Sequence, residues 1–183
     1  VTGAIGSSQY GEASRFDYDL PNDTVYAETC AAIGLIFFAR RMFEITRDSR
    51  YADVMERCLY NGVISGMSLD GKKFFYVNPL EAVPEASEKD FYKKHVKVER
   101  QKWFGCACCP PNVARLLSSI GGYAYEYNEK EFFMNLFIGG SMHAVLDGKE
   151  NQFRVETKYP WNGHVKILVE NEADTAFTYA IRV

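Results

Sequence analysis

The 183-residue sequence lacks several features that would have narrowed its function at once. It has no apolar run long enough to span a bilayer; the longest, Ala31 to Ala39, falls far short of the roughly 20 residues a helical span needs. It has no excess of basic residues. The formal net charge is −3 and no lysine- or arginine-rich stripe occurs, so nucleic acid is not an expected partner, and neither is a membrane. No Gly-Lys-Ser/Thr follows Gly3 and Gly6, which removes the phosphate-loop reading of that glycine-rich start. Repeats and low-complexity tracts are missing. Histidine is scarce: His95, His143 and His164 are scattered, and none is expected to be catalytic. The five cysteines are odd in number and uneven in spacing, which argues against a disulfide framework. Free or metal-bound thiols fit better, and they point to a reducing compartment, hence the cytoplasm. The chain opens on Val1 and stops inside a strand-like run, Ala180-Ile181-Arg182-Val183, so it reads as a piece of a longer protein in which a signal sequence cannot be assessed.

What is present divides into two parts. Hydrophobic residues make up 47% and aromatics 15%, enough for a packed core. Val1 to Pro21 reads as a loop. The Asn22-Asp23-Thr24 cluster is expected to cap a deeply buried helix running to about Arg47. A second helix follows from Asp48 or Ser49, with Cys58 on its apolar stripe as core packing. Asp70-Gly71 marks a hairpin turn, Phe74 to Val77 a strand, and Leu80 to Gln101 a charged, aperiodic loop. A third amphipathic helix is expected from Pro111 to Tyr127. From Phe132 onward five β runs follow, with turns at Asp147-Gly148 and Asn162-Gly163. The content is α+β, with a helical region over residues 1–128 and a β region over 129–183.

The most unusual stretch is Gly105 to Arg115, GCACCPPNVAR, where Cys106, Cys108 and Cys109 crowd together just ahead of a helix. Pro110 disfavours helix at Cys109, and Pro111 suits the first helical turn. The positive end of a helix favours thiolates, but neighbouring thiolates repel unless a cation intervenes. Zinc takes about four ligands and favours sulfur. Cys108 and Cys109 offer two, and Glu28 and Cys30 could supply the rest. On a regular helix Glu28 and Cys30 would point about 200° apart, so the helix start would have to be frayed. On spacing alone, a metal site, a redox pair and core packing all stay open.

Taken together, VTGAIGSS, GEAS, DYDLPNDTVYAETCAAIGL, FFYVNPL and CACCPPNVAR resemble the β-L-arabinofuranosidases of glycoside hydrolase family 127, over essentially the whole chain and in the same order. The resemblance implies the C-terminal helices of an (α/α)6 barrel followed by part of a β-sandwich. It implies zinc held by Glu28, Cys30, Cys108 and Cys109, with Cys108 also the nucleophile, Glu12 the general acid/base and Tyr76 a pocket tyrosine near the reacting centre. The implied reaction is retaining hydrolysis of β-L-arabinofuranose-type residues from an oligosaccharide or glycoconjugate. Trp103 and Phe104 are candidates for a sugar platform, and Arg115 for orienting a carboxylate; Cys106 is given no role. The competing expectations are a structural zinc module in a carbohydrate-binding or assembly protein, and a redox sensor built on Cys108 and Cys109. With barrel helices missing, the apolar face of the Ala31 to Ile45 helix would be uncovered, so self-association of these residues alone is expected.

Overall fold

In the computed structural model, which describes residues 2–171 and 176–183, Ala27 adopts a left-handed φ of +43° and Glu28 is extended at φ −66°, ψ 139°. Those two residues set where the first long helix begins. Helix α1 is Thr29–Thr46 with Glu28 as its N-cap, later than the expected start at Asn22-Asp23-Thr24. The reason is tertiary pairing. Asn22 O accepts the amides of Leu80 and Glu81, and Asp23 is ion-paired with Lys93. The amides of Tyr26 and Ala27 both reach Gly6 O, at 3.1 and 2.9 Å. A backbone so engaged cannot enter a helix.

Helix α1 buries Thr29, Ala32, Ile33, Ile36, Ala39 and Phe43, a stripe at three- and four-residue spacing. Phe38 and Ile45 remain 59% and 77% exposed, so the deep burial expected is incomplete and part of the apolar face is uncovered, as was also expected of these residues alone. Arg47, left-handed at φ +56°, ends the helix by donating its amide to Phe43 O. Helix α2, Ser49–Cys58, is capped by Asp48, whose side chain accepts the Arg50 amide at 3.0 Å. It packs on α1 through Ala52, Met55 and a fully buried Cys58, as its apolar spacing implied. Beyond Cys58 the helix widens into one π-type turn, Leu59–Val63. There a Cβ on Gly62 would lie 2.8 Å from Ala32 Cβ, so only glycine permits this approach to α1.

Phe74 to Val77 does not form the expected strand ladder. It is extended, but pairs one residue at a time: Phe74 with Met67 and Gln101, and Val77 with Glu28. Asn78 closes the arrangement. Its Nδ2 lies 3.0 Å from Thr29 Oγ1 and within 3.4 Å of the carbonyls of Ala27 and Gly62. The stretch expected as an aperiodic loop contains α3, Pro84–Lys89, and a 3-10 turn, Phe91–Lys93, whose Asp90 cap accepts the Tyr92 amide. Both are short and charged, which hid their periodicity. Helix α4, Cys109–Ser118, begins ahead of the expected Pro111; the prolines occupy its first turn, where their missing N–H groups would have gone unpaired. It also ends early. A four-residue α5, Gly121–Ala124, follows, and Tyr127 belongs to a strand rather than to a helix.

The chain divides into two compact units, Val1–Leu117 and Ser118–Val183. The second carries β1 (Tyr125–Tyr127), β2 (Glu131–Met134), β3 (Gly140–Leu146), β4 (Lys149–Thr157), β5 (Val165–Asn171) and β6 (Thr178–Ile181). Strand β2 pairs antiparallel with β1 and parallel with β6, while β3, β4 and β5 form an antiparallel meander. Among the described residues this is one strand more than expected, β1 having read as helix. Asp147 and Gly148, both with φ positive, make the β3–β4 turn. Phe132 of β2 stacks on Phe153 of β4 at 4.0 Å between centroids and on Tyr179 of β6 at 5.2 Å, so the two sheets share a core with Ala144 and Leu146.

Asn78 joins Ala27, Thr29 and Gly62 through one amide. Replacing it with the similar-sized leucine leaves buried acceptors unpaired, so Asn78→Leu is expected to lower unfolding stability by about 2 kcal/mol, measurable as a lower urea midpoint at unchanged slope.

Candidate metal and active site

The four residues singled out from spacing lie on two segments of the first unit. Glu28 is the extended N-cap of α1 and Cys30 lies in its first turn. Cys108 precedes α4, accepting the Asn112 amide at its carbonyl, and Cys109 opens that helix. The angular difficulty with Glu28 and Cys30 is solved without fraying: the left-handed Ala27 and extended Glu28 put the carboxylate outside the helix, on the side that Cys30 faces.

The four ligand atoms of Glu28, Cys30, Cys108 and Cys109 lie within 4.8 Å of one another. Cys109 Sγ is 3.7 Å from Cys30 Sγ and 3.8 Å from Cys108 Sγ, and Cys108 Sγ is 3.7 Å from Glu28 Oε1. A tetrahedral ion with metal–sulfur bonds of about 2.3 Å has sulfur–sulfur edges of about 3.8 Å. The donor set therefore fits such an ion in both chemistry and size. It does not fit a disulfide, since all five cysteines are free and these separations are nearly twice a sulfur–sulfur bond.

The electrostatics agree. Burial pushes the Cys30 thiol up to about 11, with a smaller opposing effect from the Asn112 amide. Burial, followed by the neighbouring Cys30 and Cys108, pushes Cys109 higher still. Glu28 and Cys109 are both buried. Without a cation, Cys30 and Cys109 keep their protons at neutral pH.

Tyr76 and Glu12 stand beside this cluster. The Tyr76 hydroxyl is 3.0 Å from Cys108 Sγ, and its ring lies against Phe104 and Tyr26. Burial first, then the hydrogen bond to Cys108, push the phenol well above its usual range, so it remains a hydroxyl. Glu12 sits on a loop closed by the paired amides and carbonyls of Ser8 and Ala13. Its own backbone is left-handed at φ +50°. Its Oε1 accepts a 2.9 Å hydrogen bond from the Tyr26 hydroxyl.

Two polar partners went unrecognised in the sequence. Tyr26, two residues before Glu28, gave no signal beyond being one of many tyrosines. Asn112 sits one turn into α4, and its Nδ2 donates to Cys30 Sγ at 3.0 Å while its Oδ1 accepts from Arg115 at 2.8 Å. The Arg115 guanidinium, 4.7 Å from the Phe37 ring centroid, thus orients the Asn112 amide. The side-chain periodicity of the helix start, Asn112 three residues after Cys109, could have suggested a partner for the sulfurs.

Trp103 and Phe104 part company. Phe104 packs on Phe74 and Tyr76, whereas Trp103 lines a cavity of about 350 Å³ with Lys72, Lys73 and Lys102, a lining that includes none of the four ligands. Cys106 is exposed and outside the cluster. His95 lies against Tyr26, its imidazole pushed below the usual range by burial. Among the described residues no helix is long and apolar enough to cross a membrane.

Comparison with known proteins identifies the family of the chain. Residues 1–122 match the family model for the β-L-arabinofuranosidase GH127 catalytic domain. The whole chain is 41% identical to a non-reducing end β-L-arabinofuranosidase of Bifidobacterium longum subsp. longum, of which it covers 28%. It superposes over its full length on a GH127 β-L-arabinofuranosidase from Geobacillus stearothermophilus T6, with a TM-score of 0.94 and 55% identity, covering 28% of that chain. A second solved GH127 β-arabinofuranosidase gives a TM-score of 0.87 at 41% identity, with 27% of its chain covered. The chain thus spans little more than a quarter of the length of these relatives.

Metal binding must displace one proton from Cys30 and one from Cys109, because burial holds both thiols protonated at neutral pH. Apparent affinity is therefore expected to rise with pH, by about two log units per pH unit from these two thiols alone, and calorimetry in buffers of different ionisation enthalpy should register the released protons. Asn112→Leu removes the amide that holds Cys30 and is expected to weaken metal binding by about tenfold or more in a chelator competition.

Proposed function

The chain belongs to the GH127 family of β-L-arabinofuranosidases, and from that premise we propose that it carries the reacting centre of a retaining glycoside hydrolase. The reaction releases β-L-arabinofuranose-type residues from oligosaccharides or glycoconjugates. We read residues 1–128 as the C-terminal helices of an (α/α)6 barrel and residues 129–183 as the start of a β-sandwich. The rest of the barrel, outside this chain, would complete the sugar pocket.

The observation that carries the reading is the double engagement of Cys108. Its sulfur belongs to the four-ligand cluster and also stands 3.0 Å from the Tyr76 hydroxyl. A hydroxyl at that distance can hydrogen-bond the sulfur as its charge changes during a reaction, a use beyond holding a metal. The cluster suits zinc, held by Glu28, Cys30, Cys108 and Cys109; when bound, zinc keeps Cys108 a thiolate at neutral pH and fixes its position. Glycosidases commonly use two carboxylates, and here a thiolate takes the nucleophile's place.

In the first step the Cys108 sulfur attacks the anomeric carbon. A carbon–sulfur bond forms, the bond to the leaving oxygen breaks, and that oxygen takes a proton from Glu12. In the second step water attacks the same carbon. Glu12 takes a proton from the water, the new carbon–oxygen bond forms, and Cys108 leaves as thiolate. Two inversions retain the configuration. Tyr76, kept protonated by its surroundings, can donate a hydrogen bond to the sulfur in both steps.

Cys108→Ala in the full-length protein is expected to cut hydrolysis of an aryl β-L-arabinofuranoside by at least about 10³-fold while the melting temperature shows a folded protein. Turnover that survives the substitution would transfer the cluster to a purely structural role. Product followed by NMR should appear first as the β anomer.

A further inference from the structure

Tyr26 is buried and its main chain is already anchored, its amide bonded to Gly6 O at 3.1 Å. A tyrosine serving only the core needs nothing more than an acceptor for its hydroxyl, and a nearby carbonyl suffices. This hydroxyl instead reaches Oε1 of Glu12, on an exposed loop whose backbone at that residue is left-handed. The same Gly6 carbonyl that fixes Tyr26 also fixes Ala27, next to the ligand Glu28. The loop that presents Glu12 and the segment that presents the metal ligands therefore share one anchor. On the other side the Tyr26 ring lies 6.3 Å from that of Tyr76, which reaches Cys108.

We propose that Tyr26 is a positioning residue for the reaction: its hydroxyl holds one oxygen of Glu12 and leaves the other to face the glycosidic oxygen. The inference rests on Glu12 acting as acid/base. A carboxyl has two oxygens, and only one can carry the proton to the leaving group. With Oε1 tied to Tyr26, rotation about the terminal bond of Glu12 is restricted and Oε2 is left to act. As Glu12 gives up its proton it becomes a carboxylate, and the hydrogen bond from Tyr26 becomes charge-assisted and stronger. The interaction thus grows toward the transition state of the first step, the condition under which binding lowers a barrier. Its effect should appear where proton donation matters and vanish where it does not.

The experiment compares two β-L-arabinofuranosides in the full-length protein, one with a poor alkyl leaving group and one with a highly activated dinitrophenyl group. Tyr26→Phe is expected to lower kcat/KM about tenfold on the alkyl substrate, and to leave the dinitrophenyl substrate within about twofold, since its leaving group departs without acid help. In a double-mutant cycle on the alkyl substrate, Tyr26→Phe added to Glu12→Ala should cost nothing further. Equal losses on both substrates, additive losses in the cycle, or no loss at all would overturn the positioning role. So would a Tyr26→Phe protein with altered metal content or a collapsed melting transition, which would make Tyr26 structural. Glu12→Ala measured alone separates the two readings. If it spares the alkyl substrate, the acid/base assignment itself falls. If it abolishes that activity while Tyr26→Phe is silent, only the present inference falls.

Discussion

Three thiols and a carboxylate gathered within 4.8 Å and largely out of solvent cannot all be ionised without a counter-charge. At an effective dielectric of about 20, two unit charges 4 Å apart interact by about 4 kcal/mol, so several such repulsions together would rival the stability of a whole domain. The fold nevertheless holds these four groups at ligand spacing. Either protons or a cation must complete the set. The upward push on Cys30 and Cys109 is the protonic answer, and the tetrahedral edge lengths are the metallic one. The rest of the first unit is organised to keep the groups in place under both.

That organisation is built from single contacts rather than a continuous sheet. Val77 pairs with Glu28, the Thr29 amide reaches Tyr76 O, and Asn78 gathers Ala27, Thr29 and Gly62. Each fixes one residue next to a ligand or to Tyr76. The extended backbone keeps a strand's period of two without a ladder: Phe74 and Tyr76 both lie against Phe104, while Phe75 and Val77 line another wall. The Gly6 carbonyl does comparable work for Tyr26 and Ala27, so a loop, a helix start and an extended segment meet at a few backbone bonds.

The sequence revealed the site better than it revealed the fold. Adjacent cysteines before two prolines, with Glu28 and Cys30 upstream, pointed to four residues that the structure does bring together. The helices α1 and α2 were also legible, because each carries a long apolar stripe. The errors share a physical cause. Asn22, Asp23 and Thr24 carry capping chemistry, but the Asn22 carbonyl is claimed by the amides of residues 80 and 81 and the Asp23 carboxylate by Lys93, partners that no local pattern can reveal. The π turn after Cys58, the brief α3 and the three-residue β1 are too short to establish a period. Tyr26 and Asn112 were missed because their roles depend on atoms far away in sequence, Glu12 and Cys30. Phe38 and Ile45 looked like core because their helix is apolar nearly all round, and only the structure separates the side facing α2 from the side facing outward.

The ligands come in two pairs far apart along the chain: Cys30 and Cys109 are 79 positions from each other, and Glu28 and Cys108 are 80. An ion joining the pairs would act as a cross-link as well as a cofactor. Closing a loop of that length removes conformational freedom from the unfolded chain, worth about 4 kcal/mol in the polymer account of disulfides. Unlike a disulfide, this tie needs no oxidant to form. A reducing environment would leave it intact, and a chelator would undo it. Everything between α1 and α4, including Tyr76 and the segment carrying α3, lies inside the loop so closed. Occupancy of the site would thus govern chain topology and chemistry together, and losing the ion would slacken the whole enclosed segment as well as silencing one sulfur.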